Sequence, residues 1–141
     1  MNLQALIQTL MDSNDFFDRF EPAEIEDLLK CCTAGIFNDR DVIFAENETG
    51  REFYIIIKGS VLVTRKGKKV DIVREGECIG EMAAISGKSR SAAAEAIGKV
   101  TTLKINELNI GSLPHNIQAK LYKNIALLVS NRLRKKLERV Q

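Results

Sequence analysis

The sequence predicts a mainly β protein, an antiparallel sandwich or barrel, with helices on either side of it and the longest helix last. Three observations carry this. Residues 36–75 hold short β-branched and aromatic runs separated by polar and glycine-containing turns, the pattern of an antiparallel all-β unit. Residues before about 33 and after about 106 instead space their apolar side chains at helical intervals. Residues 115–141 contain neither Gly nor Pro, so nothing local ends a helix there.

At the start, Leu3, Leu6, Ile7 and Leu10 recur at helical spacing. Asp15-Phe16-Phe17-Asp18-Arg19-Phe20 breaks that rhythm and gathers aromatics. Pro22 opens a second helix, with Glu24, Glu26 and Asp27 in the early turns that the helix dipole favours. Ile25, Leu28 and Leu29 give it an apolar face, Cys31 and Cys32 continue the helical pattern, and Gly35 suits its exit.

The strands come next. Ile36-Phe37 and Val42-Ile43-Phe44 flank a polar connection, and Asn47-Glu48-Thr49-Gly50 is a loop. Phe53-Tyr54-Ile55-Ile56-Ile57 is a buried strand, Lys58-Gly59 a turn, and Val61-Leu62-Val63-Thr64 the strand that follows. Lys66-Gly67 signals a hairpin to a return strand with Val70, Ile72 and Val73. Two more strands, at 91–97 and 100–105, are expected around Gly98-Lys99. Asn106 caps a short helix that Pro114 ends. The last helix carries two apolar stripes. Leu121, Ile125 and Leu128 suit a seat on the sheet. Tyr122, Ala126, Val129, Leu133, Leu137 and Val140 recur near every 3.5 residues, so they serve either a coiled-coil seam with a second copy or a cap on the domain.

Residues 76–94, GECIGEMAAISGKSRSAAA, carry the chemistry. Gly80 allows a close backbone approach to a ligand. Met82-Ala83-Ala84-Ile85 is one helical turn whose free N–H groups favour an anion. Arg90 brings a fixed fork of donors that fits phosphate oxygens. Glu81 would repel a phosphate and so suits sugar hydroxyls instead. Ser91-Ala92-Ala93-Ala94 leaves room beside the arginine. The competing reading is a surface loop with an Arg–Glu ion pair, worth about 0–1 kcal/mol when exposed.

In that order and spacing, Gly80-Glu81-Met82-Ala83, the loop, and Arg90-Ser91-Ala92 resemble the phosphate-binding cassette of the cyclic nucleotide-binding domain family, of the cAMP receptor protein and kinase regulatory-subunit type. Ala84 stands where the family often has leucine. Residues 53–63, with Lys58-Gly59-Ser60, resemble the family's strand pair with its Lys-Gly signature, which makes Gly59 a structural turn glycine. The resemblance runs from about Phe16 to the end of the chain.

It implies a jelly-roll β-barrel and a non-catalytic sensor of a cyclic nucleoside monophosphate, cAMP by the habit of the family and cGMP as the alternative. It implies that Glu81 accepts the ribose 2′-hydroxyl and Arg90 pairs with the cyclic phosphate. Backbone around Met82-Ala83-Ala84, together with Ser91, completes the cradle. Val63 and Val70 match the apolar wall facing ribose and base, with plain core as their other reading. Family members often finish the adenine site with a polar residue from the long helix, and Arg132 to Leu137 offers no Ser or Thr. Occupancy would reach the outside through that helix, as allosteric signal transduction. The whole, 1–141, is expected as one domain: helices at 1–33, the barrel at 34–105 with the cassette at 76–94, and helices at 106–141.

Composition narrows the alternatives. With 45% apolar and 28% charged residues the chain is of ordinary globular type. No apolar run is long enough for a membrane span, and Asp12, Asp15 and Asp18 replace the basic start of a signal peptide, so a cytoplasmic protein is expected. Three cysteines read as free buried thiols of a reducing compartment. A single histidine, His115, supplies neither a metal cluster nor a Ser-His-Asp triad, so no metal, no cofactor besides the ligand and no enzyme activity are expected. The basic end (Lys120, Lys123, Arg132, Arg134, Lys135, Lys136, Arg139) offers either a nucleic-acid contact or the solvated face of an amphipathic helix. No DNA-binding helix-turn-helix is expected within the chain. The expected partners are the nucleotide and a second copy. The alternative function is a barrel that binds no ligand and serves for dimerisation or scaffolding.

Overall fold

Two long strands organise the molecule, β3 (Glu52–Arg65) and β6 (Ala93–Asn106), which pair antiparallel from Glu52↔Asn106 to Thr64↔Ala93. The computed structural model describes residues 2–140; Met1 and Gln141, the ends of the expected span, lie outside them. On β6 are added β1 (Cys32–Phe37) and β2 (Val42–Phe44), and on β3 are added β4 (Lys68–Val73) and β5 (Cys78–Ile79). All these pairings are antiparallel. Helices α1 (Leu3–Ser13) and α2 (Pro22–Leu29) precede the sheet. Helix α3 (Glu81–Ser86) lies between β5 and β6, and α4 (Glu107–Ile110) and α5 (His115–Glu138) follow. The expected mainly β architecture with a long final helix is the one observed.

Residues sort onto the two faces by strand alternation. Phe53 and Ile55 of β3, with Ile105 of β6, face the helices and join Ile7, Leu10, Phe16, Ile25 and Leu121 in one buried cluster. Ile56, Val61, Val73, Ile79, Ala94 and Val100 form a second cluster on the inner face. Each buried aliphatic side chain stabilises by about 1.5–3 kcal/mol relative to exposure. Along β3 the inward residue changes from even (Ile56) to odd (Val61), because the register slips at Lys58 and Ser60.

That slip corrects two expectations. Lys58-Gly59 and Gly98-Lys99 are not turns; each lies within one continuous strand. Gly59 adopts φ +98°, and a Cβ there would stand 2.6 Å from the Lys99 carbonyl oxygen. A bulge and a turn both need a glycine of this kind, and here the close passage of β6 decides for the bulge. The helical pattern through Cys32 is also overridden. Helix α2 ends at Leu29, and Cys32 to Phe37 pair residue by residue with β6, with Gly35 opposite Thr102 in mid-strand. Of the three free thiols only Cys78 is fully buried, and Cys31 and Cys32 are half-buried. Burial pushes the Cys32 thiol up to about 12 and that of Cys78 higher still, so both stay protonated and inert at neutral pH.

Side chains close the helix ends. Asn2 accepts from Ala5 N at 2.8 Å, and Glu21 with Glu24 forms a capping box on α2. Asn14, buried between α1 and the aromatic turn at Asp15–Phe17, donates to Ile56 O at 3.0 Å and ties the helices to the sheet. Helix α5 seats Ile117, Leu121 and Ile125 in the first cluster. Its second stripe is exposed, with Leu137 at 60%.

Candidate functional site

The short strand β5 leads into Gly80, which takes φ +80° and is the N-cap of α3. A Cβ at Gly80 would lie 2.7 Å from Arg90 Nη1 and 3.2 Å from Glu52 O, so only glycine fits there on both counts. The turn places Glu81 and Arg90 on the wall of one cleft of about 450 Å³, a size ordinary for small-molecule sites. The cleft is bounded by residues 79–83 and 90–92, by the β3–β4 hairpin, and by α5.

All nine residues singled out from the sequence line this cleft. Gly80, Glu81, Met82 and Ala83 come from the start of α3, and Arg90, Ser91 and Ala92 from the approach to β6. Val63 and Val70 come from the hairpin. Their settings differ. Ala83 is buried, Ala92 and Val63 are half-buried, and Met82 and Ser91 stand exposed at the rim. Val70 is exposed as well, because β4 bulges at that point.

Arg90 is 3% exposed. Its Nη1 donates to Gly80 O at 2.9 Å, its Nη2 lies 3.5 Å from Glu52 Oε2, and its guanidinium carbon sits 4.4 Å from the Phe44 ring centroid. Its Nε is buried without a hydrogen-bond partner among the described residues. The backbone is clamped too: Arg90 N donates to Glu48 O, and Asn47 N donates to Arg90 O, both at 2.8 Å.

Glu81 is 5% exposed, and its partner was not foreseen. Arg132 of α5 donates from Nη1 to Glu81 Oε1 at 2.8 Å and from Nη2 to Cys78 O, and its Nε lies 3.9 Å from Glu77 Oε2. Burial opposes the charge on Arg132, but Glu81, Cys78 and Glu77 outweigh it and hold its pKa above the ordinary arginine value. The sequence carried a signal for this. Arg132 continues the Leu121, Ile125, Leu128 stripe at the next helical step, a charge in register with side chains that face the sheet. Phe44, Glu52 and Gly50, whose Cβ would stand 2.6 Å from Arg90 Nη2, carried none, since strand pairing and the backbone hydrogen bonds of the 47–48 loop bring them to Arg90.

Among the described residues no cluster of three or more His, Cys, Asp or Glu is placed to hold a metal ion, and no helix is long and apolar enough to cross a membrane. The site offers a buried guanidinium and a buried carboxylate facing a cleft with apolar walls. It can hold a ligand that brings an anion and hydrogen-bond donors together.

Comparison with known proteins bears on the family and the fold. A family model described as Cyclic nucleotide-binding domain matches residues 36–113, more than half of the chain. The cGMP-dependent protein kinase of Eimeria tenella is 29% identical over 112 residues, 79% of this chain and 11% of that protein, so the chain spans about a tenth of the relative's length. A cyclic nucleotide-binding domain from Methylobacillus flagellatus superposes with a TM-score of 0.83 at 21% identity, over 98% of this chain and 82% of that one. The regulatory domain of Toxoplasma gondii PKA, crystallised with cAMP, superposes with a TM-score of 0.71 at 22% identity, over 87% of this chain and 49% of that one. At these identities the solved structures establish the fold.

Proposed function

The chain belongs to the cyclic nucleotide-binding domain family, and from that premise we propose that it is a non-catalytic sensor of a cyclic nucleoside monophosphate, with occupancy transmitted through α5. The observation that carries this reading is Arg90, a guanidinium 3% exposed on the wall of a cleft, with one donor unpaired. Glu52 Oε2, at 3.5 Å from Nη2, is a distant partner, so a second anion set against the remaining donors would relieve the cost of burying the charge. A cyclic phosphate is such an anion, and the guanidinium fork suits its oxygens. Glu81 accepts the ribose 2′-hydroxyl, and Gly80, Ala83 and Ala92 leave room for the sugar phosphate. Met82 and Ser91 close the rim, and Val63 and Val70 pack on ribose and base. Cyclic AMP and cyclic GMP both meet these demands.

Transmission follows from Arg132. It and the ribose hydroxyl address the same Glu81 carboxylate, so a nucleotide that engages Glu81 changes how α5 is fastened. Ligand biases the two arrangements only by its different affinity for them. Residues 1–141 act as one such domain, in the reducing cytoplasm that free thiols suit, and pair with a second copy along the exposed stripe of α5. The family model ends before α5, so this part of the reading rests on the chain's own residues.

The test is isothermal titration of cyclic AMP and cyclic GMP into protein stripped of copurified nucleotide by unfolding and refolding. Micromolar or tighter binding is expected. Losing a charge-assisted contact of about 1.5–3 kcal/mol should make Arg90→Ala weaker by tenfold or more. No heat and no thermal shift with either nucleotide would overturn the sensor and leave the dimerising scaffold.

A further inference from the structure

We propose that β1 is a docking surface on which a second copy of this chain lays its own β1, antiparallel and edge to edge. β1 (Cys32–Phe37) stands at the end of the sheet order β1-β6-β3-β4, so β6 pairs with it on one side and no strand on the other. Among the described residues, Thr33 to Phe37 make no backbone hydrogen bond outside that pairing. Alternate residues of an antiparallel strand turn their N–H and C=O groups away from the partner. A row of donors and acceptors therefore points outwards from β1, ready for another strand.

The other strands at an edge are guarded. β2 has three residues, and its register with β6 shifts within them. β5 has two residues. β4 opens with Lys68-Lys69 and shifts register against β3. Short strands, edge lysines and bulges are the devices by which sheets turn away further strands. β1 has none of them. Its six residues run in unbroken register with β6, and from Cys31 to Asn38 there is neither a proline nor a charge.

Charge and side chains together point to a second copy as the occupant. A two-fold antiparallel pair sets a strand against its own sequence, so a charge near the axis would face its like at close range. The uncharged run meets that demand. Ala34 and Ile36 share the outer face of β1 and are exposed, Ile36 at 64%. With the axis through Gly35, Ala34 stands opposite Ile36 of the partner subunit, and Ile36 opposite the partner's Ala34. Both apolar pairs then leave water, and Gly35 brings no side chain to the axis. Six residues a side make a small interface, so the dissociation constant is about 0.1–1 mM. This contact uses no residue of α5 and does not depend on nucleotide.

The experiment is sedimentation equilibrium up to about 1 mM protein, on a Leu137→Glu background that removes pairing along α5, with melting curves to verify folding. Association in the upper part of that range is expected, with slower amide exchange over 33–37 as concentration rises. Ala34→Lys and Ile36→Glu should each weaken it by about tenfold or more. Their equimolar mixture should associate again, because the axis through Gly35 sets the two new charges opposite each other. No association up to about 1 mM overturns the proposal, as does association that both folded variants leave unchanged. A mixture no better than its components overturns the axis through Gly35. Protection of 33–37 by an extended Thr-Val peptide, without self-association, assigns the edge to a foreign strand and overturns the second copy.

Discussion

Arg132 donates to Glu81 across 2.8 Å, which fastens the long helix α5 to the carboxylate that opens α3, 51 residues earlier in the chain. The two side chains are 21% and 6% exposed, so the pair is largely shielded from water. Truncating the arginine leaves a buried acceptor without its charged partner, a loss of about 1–3 kcal/mol. Arg132→Ala should therefore lower the melting temperature and, in ligand-free protein, speed hydrogen exchange in the last turns of α5. Glu81→Gln should do much the same, and the double variant should be less destabilised than the sum of the two. Strict additivity would show that the contact does not couple helix to cassette.

Gly50 gives Arg90 its place. A Cβ on Gly50 would meet Arg90 Nη2 at 2.6 Å and Cζ at 3.0 Å, and Gly50 has no left-handed φ to make an alanine strained in itself. Gly50→Ala thus acts on the guanidinium rather than on the loop. Nucleotide affinity should fall about tenfold, a loss of about 1.4 kcal/mol, while the melting temperature falls by no more than modest overpacking gives. Unchanged affinity, read by calorimetry, would mean that the arginine can shift and still hold the phosphate.

How far these relationships could be read beforehand depended on their distance along the chain. Gly80, Glu81 and Arg90 lie within eleven consecutive positions, so their order was visible as a pattern. Gly50, Glu52, Phe44 and Arg132 reach the same site through strand pairing, the loop clamped to Arg90 and the seating of α5, which no local spacing records. The fold divides in the same way. The hairpin at Lys66-Gly67 was legible because its turn is local. The bulges at Gly59 and Gly98 passed for turns because only the neighbouring strand distinguishes the two, and the pairing of Cys32 with Ile105 overrode a helical pattern at Cys31-Cys32 that was real but weak.

The exposed stripe of α5 makes its own prediction. Leu133 and Leu137 are 57% and 60% exposed, at near-heptad spacing with Tyr122, Ala126 and Val129, whereas Val140, 80% exposed, lies in the turn after α5, which ends at Glu138 and not at the end of the chain. Val129 and Leu133 also line the cleft, which leaves Leu137 as the test of pairing. Sedimentation velocity at tens of micromolar should show a dimer, and Leu137→Glu a monomer with nearly the same melting temperature. A monomeric wild type would assign the stripe to capping the cleft alone.

Glu24 should give the fold a distinct acid sensitivity. Its Oε1 accepts from Lys120 Nζ at 2.6 Å and from Glu21 N at 2.8 Å, and its Oε2 accepts from Asn116 Nδ2 at 2.7 Å, which ties α2 to α5. Burial acts to raise its pKa, but Lys120 and these hydrogen bonds prevail, and the folded value stands below the ordinary 4.5. Above pH 4.5 the carboxylate is ionised folded or unfolded, and its full contribution, on the order of 1 kcal/mol with Lys120 partly screened by water, is present. As pH falls below 4.5 the unfolded chain takes up the proton first, and the contribution is lost until the folded carboxyl is also protonated. Urea unfolding at pH 7 should therefore find Glu24→Gln less stable than wild type, and the difference should shrink steadily below pH 4.5. A difference that stayed constant down to pH 3 would place the effect of the substitution in packing and not in the charge.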